Sequence, residues 1–231
     1  MIRASVDALR CTIESACRRA GRTPDEVTLV AVAKTFPADT IREALRAGVE
    51  DIGENYVQEL LAKREQLGAE KVRWHFLGHL QTNKVRQIAP WITLIHAVDS
   101  RGVAEEIDRR AALAGRVIDV LVEVNTTGEE TKFGISPDAT VSFLRSLEGC
   151  GHIRVAGLMT IGPFLPDPEG SRPMFRTLRR LREEARSLGQ ANVTMEHLSM
   201  GMTGDFEVAI EEGATLIRIG TAIFGPRVKR T

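Results

Sequence analysis

The chain has 231 residues, with 43% hydrophobic and 27% charged side chains, and its 31 Lys plus Arg balance 31 Asp plus Glu. Those proportions exclude collagen-like, disordered and membrane-spanning classes, and a chain of this size buries enough apolar surface to fold without a disulfide or metal staple. A net charge of zero lacks the basic excess of a nucleic-acid-binding surface, so neither nucleic acid nor membrane is expected as a partner.

The opening segment, MIRASVDALRCTIESACRRAG, has helical periodicity and mixed charge without an unbroken apolar stretch. It predicts a helix ahead of the main repeat rather than a secretion signal, and hence a cytoplasmic protein. Cys11 and Cys17 point to different faces of that helix and Cys150 stands apart, so three reduced thiols are expected. Strand-like apolar runs follow at 27–34, 51–54, 73–78, 94–99, 117–124, 153–161, 195–200 and 215–220. Amphipathic helical patterns lie between them, clearest at 38–47, 55–66, 101–114, 137–147 and 173–188. The arginines around 172–186 are interrupted by Glu183 and Glu184 and read as a solvated helix face. Alternating β and α segments imply parallel strands joined by crossovers. Eight such units predict α/β architecture, a single (β/α)8 TIM barrel over 1–231 with an extra N-terminal helix. An open doubly wound sheet is the competing topology, although its GxGxxG and Walker signatures are absent.

In such a barrel the working residues lie at the carboxyl ends of the strands. The first run ends Val-Ala-Val-Ala-Lys-Thr, and alternation puts Val30, Val32 and Lys34 on one face. If that face is the interior, Lys34 ends an apolar column and points into the mouth. There desolvation favours the neutral amine that attacks aldehydes; the plainer alternative is a lysine snorkelling to water. The eighth run, Thr-Leu-Ile-Arg-Ile-Gly-Thr, sets Arg218 and Gly220 on one face and opens a loop at Thr221. Glycine allows close backbone approach, and a following helical turn adds N–H donors, as in the phosphate sites of many barrels; a ligand-free turn is the alternative. Ser199 and Gly201 of the seventh run could complete that cradle. Closure would pair the last strand with the first and bring Arg218 and Gly220 beside Lys34. A lysine nucleophile, a phosphate cradle and a buried cation suit a phosphorylated aldehyde, of which pyridoxal 5'-phosphate (PLP) is the common example.

Ala33-Lys34-Thr35, Gly53-Glu54-Asn55-Tyr56-Val57-Gln58-Glu59 and Trp74-His75-Phe76-Leu77-Gly78-His79-Leu80-Gln81 resemble the pyridoxal phosphate homeostasis protein family. So do Gly157-Leu158-Met159-Thr160, Leu198-Ser199-Met200-Gly201-Met202-Thr203 and Arg218-Ile219-Gly220-Thr221-Ala222-Ile223-Phe224-Gly225. The resemblance runs nearly the length of the chain and implies the barrel of the alanine racemase N-terminal domain. It implies that Lys34 holds PLP as a reversible aldimine and that Ser199, Gly220 and Thr221 hold the phosphate. Asn55 matches a position near the ring's phenolic oxygen, and Arg218 one facing the pyridine nitrogen. The implied role is buffering of the cofactor and delivery to apo PLP-dependent enzymes, by a monomer without turnover. An arginine rather than an aspartate at the nitrogen disfavours its protonation and weakens carbanion stabilisation.

The alternative is a PLP-dependent racemase. Racemases of this fold add a second β-rich domain and a tyrosine acid/base, whereas this sequence reaches only Thr231 and its sole tyrosine, Tyr56, adjoins Asn55. A Schiff-base aldolase acting on a sugar phosphate is a third reading. His75 and His79 lack helical metal-ligand spacing, and His152 and His197 read as structural. Glu54 either orients the site or supplies a first-turn carboxylate to the next helix. Lys132 and Lys229, with Arg230 alongside, are candidates for a secondary anionic site. Some members of the family carry a second lysine two positions after the first; here that position is Phe36.

Overall fold

The apolar runs become eight short strands separated by helices. The computed structural model describes residues 1–129, 133–163 and 165–226. In chain order the elements are α1 (Ile2–Arg19), β1 (Thr28–Val32), α2 (Ala38–Arg46), β2 (Asp51–Glu54), α3 (Val57–Leu67), β3 (Arg73–Phe76), α4 (Thr82–Ile88), β4 (Leu94–Val98) and α5 (Arg101–Leu113). They continue with β5 (Ile118–Glu123), α6 (Pro137–Ser146), β6 (Ile153–Met159), α7 (Arg172–Arg186), β7 (Val193–Ser199), α8 (Phe206–Glu211), β8 (Leu216–Ile219) and α9 (Thr221–Phe224).

Each strand pairs in parallel with the next, and β8 pairs with β1 to close the barrel, which eliminates the open sheet. The closing register sets Val30 opposite Arg218 and Ala31 opposite Ile219. Val30 does face inward, in an interior cluster with Leu94, Ala97, Leu121, Ala156, Met159 and Leu216. The larger apolar layer lies between strands and helices, where α7 contributes Phe175, Leu178, Leu181 and Ala185 at helical spacing. Its arginines lie outside that stripe and pair with carboxylates: Arg172 reaches Glu169, Glu211 and Glu212. α1 buries Val6, Leu9, Ile13 and Ala16, and packs against α8, α2 and α9.

Most element ends shift by one to a few residues, and two of these shifts have local reasons that bear on the site. The first strand ends at Val32, one backbone bond short of its last contact with β2 at Ala33, because Lys34 and Thr35 form a turn, with Thr35 at φ +71°. The helix expected from residue 55 starts at Val57, because Tyr56 remains extended. Cys11 is exposed, Cys17 and Cys150 are buried, and all three are free thiols. Among the described residues no helix is long and apolar enough to cross a membrane.

Candidate functional site

Lys34, Asn55, Arg218, Gly220 and Thr221 come together on one cavity at the carboxyl end of the barrel. Val32, Phe36, Leu77, Ile161, Met202 and Thr203 complete its wall. Strand parity explains the convergence, since Val32 and Lys34, Asn55, and Arg218 and Gly220 each continue an inward-facing column. The barrel mouth is therefore built by β8, β1 and β2 on one side, with apolar walls from the loops after β3, β6 and β7.

Lys34 is half-buried on a turn that α3 clamps from both sides. Lys63 Nζ donates to Ala33 O at 2.8 Å, while Thr35 N donates to Glu59 Oε2 at 2.9 Å. A β-branched residue at positive φ is strained, and these two bonds hold it in place. Lys63 is itself buried and binds Glu54 Oε1 at 2.5 Å and Glu59 Oε2 at 3.1 Å. Burial pushes the Glu54 carboxyl up to about 7 against the opposing pull of Lys63, and Glu54 Oε2 has no hydrogen-bond partner among the described residues. Glu54 thus anchors a buried ion pair and does not lie in the first turn of α3, whose acid is Glu59. Nothing in the local sequence marks Lys63 as buried; its only signal is the spacing of four from Glu59.

Asn55 sits where β2 ends. A Cβ at Gly78 would lie 2.2 Å from Asn55 O, so only glycine lets the loop after β3 pass this close to it. Asn55 Oδ1 is buried and has no hydrogen-bond partner among the described residues. Arg218 is buried, and its Nη2 donates to Thr160 O at 2.7 Å while Nη1 donates to Ser199 Oγ at 2.6 Å. Burial pulls the guanidinium down to about 10, and the carboxylates of Glu123 and Asp205 oppose that shift. On the far side of the mouth, burial raises Glu123 to about 7, with a further push from Asp99. His79 Nδ1 lies 2.9 Å from Asp99 Oδ2 and its ring stacks on Phe133.

Ser199 requires correction. It is fully buried and absent from the cavity wall, and its hydroxyl is engaged by Arg218 and, at 2.8 Å, by His96 Nδ1. It supports Arg218 from behind instead of facing the cavity, and Thr203 supplies the hydroxyl on that side. Gly201 is likewise off the wall; its φ of +90° and a Cβ that would meet Ala209 Cβ at 2.5 Å make it a packing and turn residue. Among the other histidines, His197 Nδ1 lies 3.2 Å from Thr215 Oγ1 and His152 N donates to Asp108 Oδ1. His75 lies inside the barrel and His79 at its rim, and no group of side chains among the described residues could hold a metal ion. Lys132, Lys229 and Arg230 lie outside the described residues.

The family described as Alanine racemase, N-terminal domain, matches residues 5–228. The Pyridoxal phosphate homeostasis protein of Aquifex aeolicus (strain VF5) is 48% identical over 93% of this chain and 93% of its own. A protein from Bifidobacterium adolescentis superposes with TM-score 0.90 at 39% identity, covering 96% of this chain and 94% of that one. PipY of Synechococcus elongatus PCC7942, in a structure with PLP bound, superposes with TM-score 0.84 at 34% identity, covering 97% of this chain and 100% of that one. Identity at that level across nearly the whole barrel leaves no room for a different lineage: the chain belongs to the pyridoxal phosphate homeostasis protein family, built on the fold of the alanine racemase N-terminal domain.

Proposed function

We propose that this chain binds pyridoxal 5'-phosphate at the barrel mouth, through a reversible carbon–nitrogen link between Lys34 Nζ and the cofactor's aldehyde carbon, with one water released per link formed. The carrying observation is the meeting of Lys34, Asn55, Arg218, Gly220 and Thr221 on one cavity. The donor set fits the group. Arg218 offers a cation to the pyridine nitrogen, and the Asn55 amide, whose oxygen is unpartnered among the described residues, can turn to donate to the phenolic oxygen. Gly220 and Thr221 open a helical turn whose first amides have no partner within the helix, and with Thr203 they suit a phosphate. Bound PLP would supply electrophilic chemistry, and this chain's residues hold, orient and shield it. PLP bound to PipY, and the homeostasis names of the relatives, support the same reading.

The role is carriage: one domain over 1–231, working as a cytoplasmic monomer, buffers a reactive aldehyde and releases it to apo PLP-dependent enzymes without turnover of its own. Arg218 at the ring nitrogen supports this, since a cation there opposes the protonation that makes PLP a strong electron sink. The placement of Tyr56 supports it too: the sole tyrosine is 58% exposed and off the cavity wall. The test is the visible spectrum of wild type and Lys34→Ala with equimolar PLP. A yellow band present in wild type and lost in the variant is expected; a band retained by Lys34→Ala refutes the anchor. Deuterium exchange at Cα of amino acids, expected at background, separates carriage from racemisation.

A further inference from the structure

A line of buried polar groups crosses the barrel interior from the cavity towards its amino end. Behind Arg218 comes Ser199 Oγ at 2.6 Å from Nη1, then His96 Nδ1 at 2.8 Å from that hydroxyl. His96 Nε2 lies 2.8 Å from His75 Nδ1, and His75 Nε2 lies 3.0 Å from Asp51 Oδ1. Asp51 is gripped by Arg73 through both carboxylate oxygens, at 2.8 and 2.6 Å. All five groups from Arg218 to Asp51 are buried, and only Arg218 touches the cofactor cavity.

The ends of the line favour one direction. A guanidinium can only donate and an ionised carboxylate can only accept. We propose that Arg218, Ser199, His96, His75 and Asp51 form a one-way hydrogen-bond relay that positions the Arg218 guanidinium. In the relay both imidazoles are neutral and carry their proton on Nε2. Arg218 donates to Ser199, Ser199 to His96, His96 to His75, and His75 to Asp51. Burial holds His96 well below the usual imidazole range, which agrees with its neutral form. Ser199, His96 and His75 are positioning residues: they act on the pocket through Arg218. The relay deepens the PLP reading above and rests on it only for its effect on the cofactor.

Two measurements test it. The first is the nitrogen-15 spectrum of the histidine rings, taken with and without PLP. A protonated Nε2 and a bare Nδ1 on both His75 and His96 are expected; a protonated Nδ1 on His96, or a doubly protonated His75, reverses the line and overturns the relay. The second compares His75→Leu with His75→Gln, at a position that touches no part of the cavity. Leucine strands the His96 donor, and about a tenfold loss of PLP affinity with a displaced visible band is expected. Glutamine can accept from His96 and donate to Asp51, so it restores both. Unchanged affinity and band in His75→Leu, or equal losses in the two variants, overturn the relay. Should His75→Leu fail to fold, the ring spectrum of the wild type decides alone. A yellow band surviving in Lys34→Ala would sink the anchor reading while leaving the ring result standing, so the two failures are distinguishable.

Discussion

The two ends of the barrel interior treat charge in opposite ways. At the amino end carboxylates and arginines are saturated: Arg73 pairs with Glu50 and with Asp51, and Arg154 with Asp119 in a two-bond fork. Although burial opposes it, hydrogen bonds from Arg73 and His75 hold Asp51 down at about 2. At the carboxyl end satisfaction is incomplete. Among the described residues Asn55 Oδ1 and Glu54 Oε2 lack hydrogen-bond partners, and burial lifts both Glu54 and Glu123 to about 7. Paired charge at one end fixes the strands; underpaired polar groups at the other end lie in and around the cavity that the proposed ligand would fill. The contrast is one of charge, since neutral polar atoms without partners among the described residues also occur at the start of β7, on Gln190, Asn192 and Thr194.

The largest effect that can break this contrast is at the clamp. Lys63→Met removes the cation that serves Glu54, Glu59 and Ala33 O. At pH 8, with Glu54 charged, about 3–5 kcal/mol of stability should be lost in urea denaturation, and less at pH 5, where Glu54 takes up a proton. PLP binding should fall with it because the Lys34 turn loses a bond. An equal loss at both pH values would show that Glu54 is not the group left unpaired.

Titration sharpens the contrast next. Glu54 and Glu123 have raised values in the fold, so folding takes up protons between about pH 4.5 and 7. Their contribution to stability is fully present below that window and declines as pH rises through it. Glu54→Gln and Glu123→Gln should each flatten this decline. Asp51 acts with the opposite sign: its lowered value adds stability above about pH 4 that is lost as pH falls toward 2. Asp51→Asn should erase that acid limb and leave the neutral one unchanged. Unfolding curves at successive pH values read both.

The smallest effect is at Thr35. Glycine adopts a φ of +71° without strain, so Thr35→Gly should gain about 1 kcal/mol in thermal or urea unfolding. PLP retention should not improve with it, because glycine also loosens the turn carrying Lys34. Tighter binding in this variant would mean that the strain opposes the ligand.

Much of the mouth was legible because a parallel barrel obeys simple parity. Lys34, Arg218 and Gly220 could be assigned to one pocket from side-chain alternation plus closure, and Thr221 follows as the start of the next turn. Ser199 was misplaced because a hydroxyl at a strand end looks the same whether it faces a ligand or another side chain. Only the positions of His96 and Arg218 show that both sides of its oxygen are taken. Lys63 was missed for a related reason. In Leu-Leu-Ala-Lys-Arg-Glu it reads as one more solvated helix charge, and its burial depends on where the turn after β1 folds. The short helices α4, α8 and α9 hold seven, six and four residues, too few to establish a period.

The pairing of β8 with β1 also sets a clock on biosynthesis. Lys34 leaves the ribosome early, yet the arginine and the glycine turn that share its cavity come from the last strand and the helix after it. A growing chain therefore carries a lone amine with no pocket around it until residues 216–221 have been made, and ring closure must wait for this most distant contact. Cofactor capture is then a certificate of completion: a truncated product has Lys34 but lacks the other walls of its cavity.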